Sequence, residues 1–178
     1  MSKVEVNSNL QTIKHYQTFF DEIIKVWGVF VECFGGNIMY KIDVFIDNAT
    51  ENSGYTPTII PAFGKCLIIK LGIHDFSNRE QITFQLAHEF GHYVFYALLG
   101  LDKSLAGIKE ENLCTALSLG VIARLYPEKT AFYADYVNGL KEEKYNLGDM
   151  IAKSCNYSIY KIKNLILEEC RRLYDGGL

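Results

Sequence analysis

Apolar residues recur at spacings of three and four over residues 10–34, where Ile13, Tyr16, Phe19, Phe20, Ile23, Ile24, Trp27 and Val31 share a helical period. That spacing predicts a helix, ended by Gly35-Gly36. The pattern then changes. Ile38 to Ile46 is rich in β-branched and aromatic residues and partly alternates, which predicts a strand. Asp47 to Gly54 is polar and reads as a turn or loop. Tyr55–Ala62 and Lys65–Leu71 read as two further strands about Phe63-Gly64, and Pro57 and Pro61 make the first of them an edge or irregular strand. After Ile73 the period is helical, with helices expected over about 77–99, 107–126, 129–142 and 148–174. In the last, Ile159, Ile162, Leu165, Ile166, Cys170 and Leu173 form a stripe expected to pack in the core. A helix, a small antiparallel sheet and a helical half make an α+β fold. At 178 residues the chain is expected to form a single domain over residues 1–178.

The helix over 77–99 carries the chemistry. Ser77-Asn78-Arg79-Glu80 has the form of a capping box with Ser77 as N-cap. No proline intervenes before Leu99, and Gly100 suits a left-handed C-terminal position. Ile82, Leu86, Phe90, Val94 and Ala97 form one apolar stripe, so the helix is expected to be amphipathic. His88 and His92 fall on another stripe, with Phe84 and Tyr96. They belong to His88-Glu89-Phe90-Gly91-His92. Helical positions i and i+4 share a face with Cβ atoms about 6 Å apart, so two imidazoles so placed can hold one zinc ion at ~2.0–2.1 Å each. Glu89, next to the first ligand, is positioned to accept a proton from a water at the metal. This is the His-Glu-x-x-His signature of zinc peptidases.

Catalytic zinc takes three protein ligands and keeps one position open, so a third ligand is needed. His15 and His74 are candidates, as are carboxylates downstream. No histidine follows His92, which excludes the metzincin pattern, and the reversed order His-x-x-Glu-His is absent. Glu110 and Glu111 open the next helix after the short connector Gly100–Gly107, and the two helices are expected to pack antiparallel. Gly91, without a Cβ, would let a neighbouring element approach at a helix-interior cost of ~1 kcal/mol relative to alanine. Helical phase leaves both glutamates open. Glu110 lines up with Leu113 and Leu117, and Glu111 with Thr115, a side chain able to hydrogen-bond a histidine ligand. One of the pair is expected only to complement the positive end of its helix.

The chain resembles gluzincin-type metallopeptidases, and most of all the ImmA/IrrE-type family, across Arg79 to His92, where Ile82-Thr83-Phe84-Gln85-Leu86-Ala87 precedes the motif. In that family the third ligand opens the pattern Glu-x-x-Ala-Asn-x-Phe-Ala. Here Glu111-Asn112-Leu113-Cys114-Thr115-Ala116-Leu117-Ser118 keeps small, polar, apolar and small residues in those places, with identity at the glutamate. The gap before that glutamate is shorter than is usual in the family, and no helix-turn-helix accompanies it. The resemblance implies Glu111 as third ligand, with Glu110 the alternative. It implies a minimal gluzincin-like fold and a peptidase that hydrolyses peptide bonds with Glu89 as general base. For the oxyanion, Tyr93, Tyr96, Tyr126, Tyr133, Tyr136 and Arg124 are candidate donors. Lys65 to Lys70 is a candidate edge strand for pairing with an extended peptide.

Composition narrows the setting. Net charge is −3, without a basic run, so neither nucleic acid nor an anionic membrane is expected as partner. The N-terminus has no apolar signal core and no segment is long enough to span a bilayer. The five cysteines are odd in number and scattered, without a Cys-x-x-Cys, and are read as reduced thiols in a cytoplasmic protein. A calcium loop at 47–58 is rejected because Ala49 and Thr58 fall where oxygen ligands are needed. The expected function is therefore a small intracellular zinc peptidase with one Zn2+ per chain and a peptide or protein substrate. Strict selectivity or a regulatory protein partner would restrain it. The alternative is a non-proteolytic zinc scaffold serving protein interaction.

Overall fold

A computed structural model describes residues 4–49 and 56–176. The chain is α+β. Strand β1 (Val4–Val6) leads through a 3-10 turn at Ser8–Thr12 into helix α1 (Tyr16–Phe34) and a single turn, α2 (Gly36–Met39). Strands β2 (Asp43–Asn48), β3 (Thr58–Ala62) and β4 (Cys66–Leu71) follow. Helices α3 (Arg79–Leu99), α4 (Ile108–Leu125), α5 (Thr130–Gly139), α6 (Glu143–Asn146), α7 (Gly148–Ser154) and α8 (Ile159–Asp175) complete it. Among the described residues no helix is long and apolar enough to cross a membrane.

The expected antiparallel sheet is instead mixed, in the order β1-β2-β4-β3. β1 pairs with β2, and β2 with β4, in parallel, while β3 and β4 form the antiparallel hairpin. Parallel neighbours need a crossover. Helix α1 supplies the first, and the segment carrying β3 supplies the second. β3 is the edge strand foreseen from Pro57 and Pro61, and Pro61 sits within it opposite Leu67. β4 lies between β2 and β3, so both sides of its main chain are engaged. The expectation of a free edge at Lys65–Lys70 is therefore corrected. One sheet face, with Val44, Ile46, Leu67, Ile69 and Leu71, is buried against the helices; each such side chain contributes about 1.5–3 kcal/mol on burial.

Other boundaries shift for local reasons. The helix expected from residue 10 starts at Tyr16, because His15 sits at φ 64°, outside the right-handed region. The strand expected from Ile38 begins at Asp43, because Gly36–Met39 continue as a helical turn. Asp47 and Asn48 extend β2 rather than opening a loop; residues 50–54 of the loop expected over 47–54, and Tyr55, lie outside the described residues. The last helix divides into α7 and α8 at Asn156 and Tyr157, both at positive φ. Within α8, Ile159, Ile162, Ile166 and Cys170 are buried as expected, while Leu165 and Leu173 reach the surface.

Helix α3 is the centre of the molecule. It starts with Asn78, not Ser77, as N-cap: the Asn78 side chain accepts from Gln81 N–H at 3.1 Å. Ser77 is unavailable because its hydroxyl and N–H both donate to Asp75 Oδ1. Gly100 closes the helix at φ 105° with extended ψ, a conformation that glycine alone adopts readily. The expected amphipathic helix is in fact buried on nearly every side from Glu89 to Ala97. Helices α1, α4 and α8 and the sheet all pack on it. Trp27 and Phe30 of α1 meet Phe90 edge-on at 5.1 and 5.3 Å. The Tyr93 hydroxyl, which donates to Met39 O at 2.9 Å and accepts from Ile42 N–H at 3.2 Å, fixes α3 against the α2–β2 turn.

Candidate metal centre

Helices α3 and α4 run antiparallel across the connector, and Gly91 sets how closely they approach. A Cβ there would fall 2.8 Å from Cys114 Sγ and 3.2 Å from the Cys114 Cα. With glycine the two backbones come close enough for the first turn of α4 to reach the His88–His92 face. Gly148 of α7 makes a similar approach from the other side: a Cβ on it would meet Thr115 Cβ at 2.7 Å. The α4 face is thus held between α3 and α7.

Three side chains converge there. His88 Nε2 lies 3.2 Å from Glu111 Oε2 and 3.2 Å from His92 Nε2, and His92 Nε2 lies 3.4 Å from Glu111 Oε2. Among the described residues, these three form the group of His, Cys, Asp and Glu donors able to hold a metal ion. All three atoms are lone-pair donors, so each of the three contacts brings acceptor toward acceptor. Four ligands at ~2.0–2.1 Å around a tetrahedral zinc are themselves about 3.3 Å apart. The observed triangle has that size, so the residues present fit such an ion. His15 and His74, the other histidine candidates, are exposed and stand outside the group.

Each of the two imidazoles is oriented from behind. His92 Nδ1 lies 2.7 Å from Glu110 Oε1. A proton on Nδ1 donated to that carboxylate leaves the Nε2 lone pair facing the triangle. His88 Nδ1 lies 3.4 Å from Thr115 Oγ1, which donates to Glu111 O at 2.9 Å and so accepts from the imidazole. The Thr115 contact foreseen from helical phase is present. Neither glutamate merely complements the end of α4, as was expected of one: Glu111 reaches the two Nε2 atoms and Glu110 reaches the far side of His92.

The electrostatics follow from this crowding. Burial alone would lower the His92 pKa, but Cys114, Glu110 and Glu111 outweigh it and raise it well above the ordinary value. Burial would raise Glu111, but hydrogen bonds from His88 and His92 hold its carboxyl far below the usual range. Without a cation, a proton is drawn into the triangle. Glu89, 2 % exposed, is pushed up by burial; the fields of His88 and His92 oppose that shift and Glu111 adds to it. Cys114, behind His92, is driven by burial to about 11 and stays a thiol.

The candidate oxyanion donors are distributed elsewhere. Tyr93 is engaged with backbone at Met39 and Ile42, Tyr96 lies under the Lys103 ammonium, and Tyr126 bonds Glu22. Tyr133 and Tyr136 pack on Phe84, and Arg124 is held by Glu32. The aromatic ring that does face His88 belongs to Tyr145, at 5.9 Å between ring centres and 66°. Its phenol is raised by burial and feels the Glu111 charge. Asn112 brings it there: the Asn112 amide donates to Glu143 O at 3.0 Å and its oxygen accepts from Leu147 N–H at 2.8 Å, docking α6 onto α4. Tyr145 and Asn112 carry no motif, and only the tertiary packing of a four-residue helix reveals them.

Compared with known proteins, the chain matches no family description, no curated protein and no solved structure.

Proposed function

We propose that the protein is a zinc-dependent peptidase with one Zn2+ per chain, held by His88, His92 and Glu111. The observation that carries this is the triangle of two imidazole nitrogens and one carboxylate oxygen, with the separations of a tetrahedral shell. A divalent ion held there would supply Lewis acidity, making a water more acidic and a peptide carbonyl more electrophilic. The remaining work falls to the chain itself. Glu89 accepts the proton of the attacking water and returns it to the leaving amine. Its buried carboxyl, raised from the ordinary value, is a stronger base than a solvated glutamate. Glu110 and Thr115 hold the two imidazoles in register. The resemblance to the ImmA/IrrE-type family supports the same reading, with a peptide or protein substrate. The unpaired cysteines, four of them buried, support a cytoplasmic setting.

The test is Glu89→Gln, assayed on a quenched-fluorescence peptide library beside the wild type. The variant is expected to keep its metal and lose hydrolysis by about 10²–10⁴-fold, the usual contribution of a positioned general base. Cleavage at the wild-type rate by Glu89→Gln would reject Glu89 as the base. A wild type that binds zinc but cleaves no peptide would favour the scaffold reading.

A further inference from the structure

We infer that Lys103 is a positioning residue of the metal centre: by clamping Glu110 it fixes His92 and leaves Glu111 as the carboxylate that reaches the metal. This rests on the metal-centre reading above. Two neighbouring glutamates open α4, and both are within reach of His92. The sequence does not say which becomes the ligand. The difference between them is a lysine from the connector. Lys103 Nζ lies 2.9 Å from Glu110 Oε1 and 3.0 Å from Glu110 Oε2, so it engages both oxygens of that carboxylate and none of Glu111.

The Lys103 side chain is only 6 % exposed, which is unusual for lysine. It also donates to Ser104 O at 3.2 Å and stands 4.6 Å over the Tyr96 ring. Burying an ammonium forfeits its hydration, and the nearby N-terminus of α4 repels a cation. Neither capping nor solubility accounts for it there. What holds it is Glu110.

The clamp has two consequences. With both oxygens engaged, Glu110 cannot swing toward the triangle, so the carboxylate entering it is that of Glu111. With Oε1 held 2.7 Å from His92 Nδ1, the imidazole is fixed about its own axis and Nε2 stays aimed at His88 and Glu111. Lys103 thus acts on the metal only through Glu110.

The experiment uses the full chain without a histidine tag. Zinc affinity is measured by competition with a chromophoric chelator, and the cobalt-substituted protein is examined by visible absorption. Lys103→Met is expected to weaken zinc binding by about 10–100-fold, as loss of support to a ligand does, and to shift the cobalt bands. Lys103→Arg is expected to restore most of the affinity. In a Glu110→Gln background, Lys103→Met should add no further loss, since the pathway is already cut. A merely structural lysine would lower the melting temperature of the apo protein and leave the affinity and cobalt spectrum of the folded fraction unchanged; that result overturns the inference. So does an equal loss in the Glu110→Gln background. Should Lys103→Met fail to fold, Glu110→Gln alone must show the weakened affinity, and wild-type affinity there overturns the inference as well. A wild type that binds no zinc removes the metal-centre reading itself, and the inference with it.

Discussion

A buried and a partly buried carboxylate face helix α3 from neighbouring helices, and their surroundings are opposite. Glu22 of α1 is fully buried, and its Oε1 accepts from the hydroxyls of Thr83 at 2.6 Å and Tyr126 at 2.8 Å. Lys25 and Arg79 stand 3.5 Å from its oxygens, and Lys25 Nζ donates to the Tyr126 hydroxyl. Donors meet Oε1 and cations close the charge, while Oε2 has no hydrogen-bond partner and faces the Arg79 guanidinium. Around Glu111, acceptors meet acceptors: two Nε2 atoms and one carboxylate oxygen share a space that only a proton or a metal ion can satisfy. Burial of a charge does not mark a site, because a buried carboxylate supplied with donors is structural. Convergent lone pairs, with both imidazoles braced from behind, mark a place for a cation.

The comparison breaks first if the two carboxylates are exchanged in effect. Glu111→Ala is expected to lower zinc affinity by more than the about 10–100-fold that follows loss of a ligand's hydrogen-bonding support, with little change in apo stability. Glu22→Ala should leave one zinc per chain and cost about 3 kcal/mol of unfolding free energy, since the buried Thr83 hydroxyl and the partly buried Tyr126 hydroxyl lose their acceptor. Metal titration and urea unfolding of both variants read the two effects together; a Glu22→Ala protein that folds normally but binds no zinc would merge the two regions into one site.

Gly91→Ala sharpens the same contrast from the packing side. The added Cβ meets Cys114 side chain and backbone, so α3 and α4 must separate. Unfolding free energy should fall by about 1–3 kcal/mol, the usual cost of overpacking. Zinc affinity should fall in the same variant, because Glu111 retreats with α4. Affinity unchanged at reduced stability would show that the triangle tolerates a wider helix pair.

The smallest effect lies away from both regions. Glu169 of α8 is held at about 2 by its hydrogen bond to Arg172, against the opposing pull of burial and with the help of Lys109. A carboxyl depressed in the folded state stabilises above its unfolded pKa near 4.3 and loses that contribution as pH falls through its folded value. Both cations are more than half exposed, so solvent screening reduces the contribution to about 1 kcal/mol. Apo wild type should therefore lose about that much more stability than Glu169→Gln between pH 5 and pH 2. Parallel pH profiles for the two proteins would remove Glu169 from the account of stability.

What the sequence disclosed was whatever depends on local spacing. His88, Glu89 and His92 announce themselves because four residues make one helical turn. Gly91 and Thr115 follow from which faces the two helices must share. The edge position of β3 follows from Pro61. What depends on tertiary partners stayed out of reach. Strand β1 has three residues and exists through its pairing with β2. Parallel order in the sheet is a property of the crossover through α1, which no strand pattern encodes. Ser77 reads as a better cap than Asn78 until Asp75 is seen to occupy it. The division between α7 and α8 lacks glycine or proline, since Asn156 and Tyr157 themselves take positive φ. Glu110 and Glu111 are neighbours of one type and helical phase left both open; in the fold Glu110 reaches His92 Nδ1 and Lys103, while Glu111 reaches the two Nε2 atoms.

The most direct measurement is diffraction from zinc-reconstituted, tag-free crystals on both sides of the zinc absorption edge. The expected result is one anomalous peak per chain, bonded to His88 Nε2, His92 Nε2 and a Glu111 oxygen, with a fourth position open to water. No peak after reconstitution, or a peak coordinated by other residues, would contradict the metal centre and the peptidase built on it.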